Sequence, residues 1–78
     1  MEHEYSVCQF FADGSYEYFQ RFVTDKVAVQ AAIDLARSVG AKIGTTQRVI
    51  ITDGGDCIAW EWVHGKGITF PPELVGRL

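Results

Sequence analysis

The chain has 78 residues, 47% of them hydrophobic and 22% charged, and its formal net charge is −3. This amount of apolar material is enough for one packed core, which predicts a single domain over residues 1–78 and argues against intrinsic disorder. No apolar run is long enough to cross a membrane, and the acidic start of the chain does not have the form of a secretory signal. We therefore expect a cytoplasmic protein that has no membrane partner.

The charged and the aromatic residues are distributed in opposite ways. The 7 lysine and arginine residues are spread singly along the chain, whereas seven of the ten aromatic residues fall within residues 1–22. Binding to nucleic acid or to an anionic membrane surface requires clustered cations, so the charge pattern argues against both partners. The aromatic cluster is the feature of the sequence that most needs an explanation.

Two β-strands are predicted at the start of the chain. Residues 5–11 and 16–23 are rich in strand-forming side chains, and Asp13-Gly14 between them is typical of a two-residue hairpin turn. The cross-strand pairs that follow from this turn are Phe11 with Tyr16, Gln9 with Tyr18, Val7 with Gln20, and Tyr5 with Phe22.

The period of the apolar residues then changes to that of a helix, which predicts a helix over residues 25–39. Thr24 or Asp25 can cap its first turn, and Gly40 lies where a left-handed residue ends many helices. The apolar stripe that we expect to face the sheet consists of Val29, Ala32, Ile33, Ala36 and Val39.

Residues 46–52 and 57–63 are predicted to form a second hairpin around a two-residue turn at Gly54-Gly55. This register places Arg48 opposite Glu61 as a cross-strand ion pair on one face. The other face, which we expect to meet the helix, carries Val49 opposite Trp60, together with Ile51, Ile58 and Trp62.

The predicted fold class is α+β: a two-layer ββαββ sandwich in which one helix covers one face of a four-stranded, mostly antiparallel sheet. A right-handed connection between the hairpins gives the strand order 2-1-3-4. Residues 67–78, which contain Pro71 and Pro72, are predicted to form an extended C-terminal tail.

Both faces of the first hairpin carry large apolar side chains, but a helix is only about 10–12 Å across and covers one face. We expect the helix side to take Tyr5, Val7, Phe11, Tyr16, Tyr18 and Phe22. The open side then has an apolar centre with a charged rim, as protein interfaces do. Its centre is expected to contain Cys8, Phe10, Phe19, Ile50 and Ala59, and its rim Glu17, Arg21, Arg48 and Glu61. This surface predicts a homodimer that buries Phe10 or Phe19.

Three alternatives stay open for the same surface. An unidentified protein could cover it in place of a second copy. The exposed rings could instead stack the bases of a single-stranded nucleic acid. A small-ligand or catalytic site could also form at a subunit interface near Cys57, Asp53, Asp56 and His64.

No motif in the chain predicts a catalytic residue, a metal site or a cofactor. Cys8 and Cys57 lie within predicted strands without the paired spacing of a metal site, so both are expected to be buried structural thiols. The Asp53–Asp56 segment is explained by turn chemistry, and His64-Gly65-Lys66-Gly67 lacks the helix that a phosphate loop requires. The sequence favours a binding module over an enzyme.

Overall fold

The computed structural model describes residues 3–78 and contains five strands, two α-helices and one 3₁₀ turn. In chain order these elements are β1 (Tyr5–Phe11), β2 (Tyr16–Val23), α1 (Asp25–Ala36), α2 (Val39–Ile43), β3 (Thr46–Thr52), β4 (Ile58–Val63), β5 (Gly67–Phe70) and the 3₁₀ turn Pro72–Leu74. The strands form one antiparallel sheet in the order β2-β1-β3-β4-β5. The predicted α+β class and the order of the first four strands are confirmed.

The fifth strand comes from the segment that was predicted to be an extended tail. The N–H of Ile68 donates to the carbonyl of Arg77, and the N–H of Gly76 donates to the carbonyl of Ile68. The end of the chain therefore folds back along β5 and occupies the hydrogen-bonding groups on its outer side. Ile68 itself is buried in the core, which anchors this strand to the sheet.

The core lies between one face of the sheet and the two helices. Large side chains on the sheet, Trp60 and Trp62 among them, share one buried cluster with small side chains on α1, chiefly Ala28, Ala31 and Ala32. This pairing of large with small residues lets the helix approach the sheet closely and fills the space between the layers. The other sheet-side members of the core are Val7, Val49, Ile51 and Ile68.

The helix differs from its prediction in phase and in length. Its buried residues are Ala28, Ala31, Ala32 and Leu35, whereas Val29 is 44% exposed. The face that turns inward thus consists of three alanines and Leu35, and the three alanines let α1 lie close to the sheet. Helix α1 ends at Ala36 because Ser38 is extended and caps a second helix, accepting a hydrogen bond from the N–H of Ala41. Gly40 lies within α2, and Gly44 is its left-handed C-cap.

The second hairpin keeps its predicted faces for the tryptophans but not its predicted pairs. Its loop has three residues, because the N–H of Asp53 donates to the carbonyl of Cys57 and Asp56 adopts a φ of 61°. A bulge at Ala59 adds a further shift. Most pairs therefore move by two residues, which preserves the face of each side chain. Val49 opposes Trp62, Arg48 opposes Val63, and Ile50 opposes Glu61. Ile58, beyond the bulge, opposes Thr52 on the face away from the helices.

The first hairpin turns Tyr16 and Tyr18 to the face opposite the predicted one, whereas Tyr5 packs against the core on the predicted side. Its loop is the three-residue Ala12-Asp13-Gly14, in which Gly14 has a φ of 89° and the N–H of Phe11 donates to the carbonyl of Ser15. The extra loop residue shifts the pairing of β2 with β1 by one residue. The β2 side chains from Tyr16 to Tyr18 therefore point to the face opposite the predicted one. Tyr16 opposes Phe10 and Tyr18 opposes Cys8, and a bulge at Phe19 then restores the predicted pairing of Val7 with Gln20.

Glu17 also leaves the rim on which it was predicted. It opposes Gln9, whose side-chain amide donates to the Glu17 carboxylate at 3.2 Å. Gln9 in turn accepts a hydrogen bond from the buried Thr46 hydroxyl at 3.0 Å. Because Gln9 also opposes the core residue Val49, this network belongs to the helix side of the sheet.

The close approach of α1 to the sheet makes a first prediction. Ala32 is fully buried, so Ala32→Leu should lower the free energy of unfolding by about 1–3 kcal/mol through overpacking. The matched control is Val29→Leu on the exposed side of the same helix, which should change stability by no more than about 0.5 kcal/mol. Urea titrations followed by circular dichroism measure both. A larger loss for Val29→Leu would contradict the observed phase of the helix.

Candidate interaction surface

The sheet face that the helices leave uncovered, called the open face below, is built from three rows of side chains that run across the strands. Residues that oppose each other in a sheet share a face, so the pairing defines the rows. The central row runs Tyr18, Cys8, Ile50, Glu61 and Phe70. The row on one side of it is Tyr16, Phe10, Arg48 and Val63, and the row on the other side contains Ser6, Thr52 and Ile58.

Aromatic rings and arginine side chains alternate over the β2 half of this face. The rings of Phe10 and Tyr16 are 5.9 Å apart between centroids, and those of Tyr16 and Tyr18 are 6.2 Å apart in an edge-to-face arrangement. The guanidinium carbon of Arg21 lies 4.1 Å from the Tyr18 centroid and 4.8 Å from that of Phe22. These separations are within the range of cation–π attraction, so the guanidinium holds the two rings in place.

Phe22 reaches its position through an unusual backbone conformation. Its φ of 56° lies in the left-handed region, which a bulky aromatic residue rarely adopts. Its N–H donates to the Ser6 hydroxyl at 3.4 Å, which supports this conformation from the neighbouring strand. Phe22 is 65% exposed, so a strained backbone conformation places its phenyl ring in solvent.

A polar line crosses the β3–β5 half of the open face. The Arg48 guanidinium donates to one oxygen of Glu61 and lies 4.9 Å from the Phe10 centroid, and the Thr69 hydroxyl donates to the other Glu61 oxygen. Burial raises the pKa of Glu61, but the hydrogen bonds from Thr69 and Arg48 and the charges of Arg48 and Lys66 outweigh this effect. They hold the pKa of the carboxyl below its usual value.

The structure brings most of the predicted interface residues together on this face. Cys8 and Ile50 are buried and form its floor, while Phe10, Arg48 and Glu61 are half-buried above them. Burial raises the pKa of the Cys8 thiol, and the charges of Arg48 and Arg21 on the same face partly offset that rise. Phe19 and Ala59 are exposed, but both occupy bulges and not the centre of the surface.

Sequence reasoning missed the residues that are most exposed on this face. Tyr16, Tyr18 and Phe22 were assigned to the helix side, and Phe70 was placed in a tail. The signal for the tyrosines was the position of Gly14, which also suits the third residue of a three-residue loop. The bulges at Phe19 and Arg21-Phe22 left no comparable signal in the sequence.

The residues of the predicted ligand site do not all meet within the subunit, because His64 lies apart from Asp53, Asp56 and Cys57. Cys57 and His64 lie at opposite ends of β4, and Nδ1 of His64 is 2.8 Å from the carbonyl oxygen of Ala41 in α2. Asp53 accepts hydrogen bonds from the N–H groups of Gly55 and Cys57, as a turn residue does. Cys57 was predicted to be buried, but it is exposed beside this turn.

Residues 3–78 contain no group of three or more histidine, cysteine or acidic side chains that could hold a metal ion. None of their helices has the length and apolar character needed to span a membrane.

A comparison with protein-family models, with curated proteins and with solved structures gives no match to this chain. Its function must therefore be argued from the open face.

The low pKa of Glu61 makes a second prediction. A carboxyl whose pKa is lowered by folding contributes stability above its unfolded pKa, and this contribution disappears as the pH falls through the folded pKa. Glu61→Gln should therefore lower the free energy of unfolding at pH 7 by roughly 0.5–1.5 kcal/mol, and the difference from the wild type should shrink in acid.

Urea titrations at pH 7 and at successively lower pH measure this difference. Glu73→Gln, at an exposed acidic residue of the C-terminal segment, is the control and should behave like the wild type at each pH. A Glu61→Gln effect that is equally large in acid would show that packing, and not the carboxylate charge, is what the substitution removes.

Proposed function

We propose that the protein is an interaction module that forms a homodimer through its open face. The observation that carries this proposal is the ladder of exposed rings that faces away from both helices. Tyr16, Tyr18 and Phe22 are 62%, 46% and 65% exposed, and Ile58 and Phe70 add exposed apolar surface at the other edge. Exposed apolar surface of this extent on one face of a small domain is characteristic of an interaction site.

The two edges of the sheet favour association through the face and not through strand addition. The edge strand β2 is interrupted by bulges at Phe19 and at Arg21-Phe22. The other edge strand, β5, has its outer hydrogen-bonding groups occupied by Gly76 and Arg77. Bulges and covered edges are the devices by which proteins prevent edge-to-edge pairing. The flat face between the edges is then the surface that remains for a partner.

The area of the open face determines the affinity that we expect for the dimer. Four strand spacings of about 4.8 Å and strands of about 23 Å give a flat area of roughly 450 Å² per subunit before side-chain relief is counted. Stable interfaces usually bury about 800 Å² per partner, so a dimer formed by this face is at the small end of the range. A dissociation constant in the micromolar range suits such an interface.

A second candidate function is the binding of single-stranded nucleic acid. Glu17 lies off the open face, so the cations Arg21 and Arg48 are balanced there by Glu61. Rings with adjacent guanidinium groups are the elements by which sheet surfaces stack unpaired bases. The net charge of −3 weakens this candidate, because long-range attraction to phosphates is lost.

The dimer makes a third prediction, which analytical ultracentrifugation tests. The wild type should change from a monomer of 8.7 kDa to a dimer as its concentration rises through the micromolar range. Tyr16→Glu should keep the protein monomeric, because it places a charge within the apolar part of the interface. A wild type that stays monomeric at all concentrations would refute the proposal.

The matched control is Val39→Glu. Val39 is 72% exposed on α2, in the layer opposite the open face, so this variant should dimerise like the wild type. Fluorescence anisotropy with a labelled oligothymidine at low and high salt tests the second candidate. Salt-sensitive binding that Tyr16→Glu abolishes, together with a monomeric wild type, would favour nucleic acid over the dimer.

A further inference from the structure

The two edges of the open face have complementary shapes. On the β2 edge, the exposed rings of Tyr16, Tyr18 and Phe22 form a ridge, with the Arg21 guanidinium over two of them. On the β4–β5 edge, a cavity of about 290 Å³ is lined by Ile58, Glu61, Thr69 and Phe70. The ridge is aromatic and carries a cation, whereas the groove has apolar walls and contains a carboxylate.

Tyr18 of the ridge and Phe70 of the groove each lie two strands from the middle strand, on opposite sides of it. Strand β3 is the third of five, so two strands lie on each side of it. The central row contains Tyr18 at one end, Ile50 in the middle and Phe70 at the other end. A rotation of 180° about an axis parallel to β3 therefore exchanges the position of Tyr18 with that of Phe70.

Two sheets that pack face to face in a symmetric dimer have their twofold axis between the sheets, because both copies use the same patch. An axis parallel to β3 places the ridge of each subunit over the groove of the other. An axis across the strands instead places ridge over ridge, which brings the two Arg21 cations to the same edge and leaves groove over groove. Shape and charge both favour the first arrangement, and aligned packing of sheets is a common geometry.

We infer that the second copy packs with its twofold axis along β3, so that the β2 ridge of each subunit occupies the β4–β5 groove of the other. This inference rests on the dimer proposed above and specifies its geometry. Tyr18 then contacts Phe70 of the partner subunit, Arg21 lies near Glu61 of the partner subunit, and Ile50 lies at the axis. Each contact occurs twice, which makes the arrangement self-complementary.

The test is a complementation between a ridge variant and a groove variant. Tyr18→Glu and Phe70→Arg should each raise the dissociation constant of the dimer by roughly 30-fold or more, because each substitution disrupts both ridge–groove contacts of the homodimer. An equimolar mixture of the two should regain dimer close to the wild-type affinity. In that heterodimer one ridge–groove contact is native, and the other brings the two introduced charges of opposite sign together.

The matched control replaces Tyr18→Glu by Tyr18→Arg. Its mixture with Phe70→Arg also has one native contact, but the two introduced charges repel each other, so the mixture should stay weaker than the first. Sedimentation of mixtures in which one variant carries a fluorophore measures the heterodimer. Circular dichroism establishes that each variant is folded, and Ile58→Arg in the same groove replaces Phe70→Arg if that variant does not fold.

The outcomes separate this inference from the dimer itself. Rescue in the first mixture and its absence in the control support the ridge-in-groove geometry. A wild-type dimer with no rescue in either mixture, or with no loss in the single variants, overturns the geometry and leaves the dimer standing. A wild type that is monomeric at all concentrations overturns both.

Discussion

The packing of the alanine-rich face of α1 over β1, β3 and β2 is the interaction on which the rest of the structure depends. Val7, Val49 and Ile51 project from the sheet into this contact, and Trp60 and Trp62 on β4 belong to the same buried cluster. This contact directs the helix layer to one side of the sheet. Because residues 3–78 form no second helix layer, the opposite side is left without a cover. The open face is therefore a consequence of how the core is filled.

The loops and bulges decide which side chains the open face displays. Each of the first two hairpins has one more loop residue than the shortest turn allows, and a residue with positive φ, Gly14 or Asp56, closes its loop. In the first hairpin this extra residue moves Tyr16 and Tyr18 to the open face. The bulge at Phe19 then lets the remainder of β2 return to its pairing with β1. The exposure of the Tyr16 and Tyr18 rings therefore depends on the register of β2 against β1.

The open face combines features that suit the proposed association with features that stabilise the monomer. The hydrogen bonds of Arg48 and Thr69 to Glu61 satisfy a carboxylate that a partner would otherwise have to desolvate without compensation. The Arg21 guanidinium holds the Tyr18 and Phe22 rings in fixed positions before any partner arrives. Ordered rings lose less conformational entropy on binding, which suits a surface of modest area.

The sequence by itself determined the class of the fold, the strand order 2-1-3-4, and the faces of Val49, Trp60, Arg48 and Glu61. It also limited the helix N-cap to Thr24 or Asp25, of which the structure uses Thr24. These features depend on period, on local capping, and on patterns that survive a register shift of two residues. The tertiary structure alone decided which face of β2 carries the tyrosines, which face of α1 is buried, and that residues 67–70 form a strand. The physical reason is that a register shift of one residue moves every side chain of a strand to the other face of the sheet, at little cost in local free energy. Such a choice is made by the volumes that meet in the core and by distant chain segments that complete the sheet.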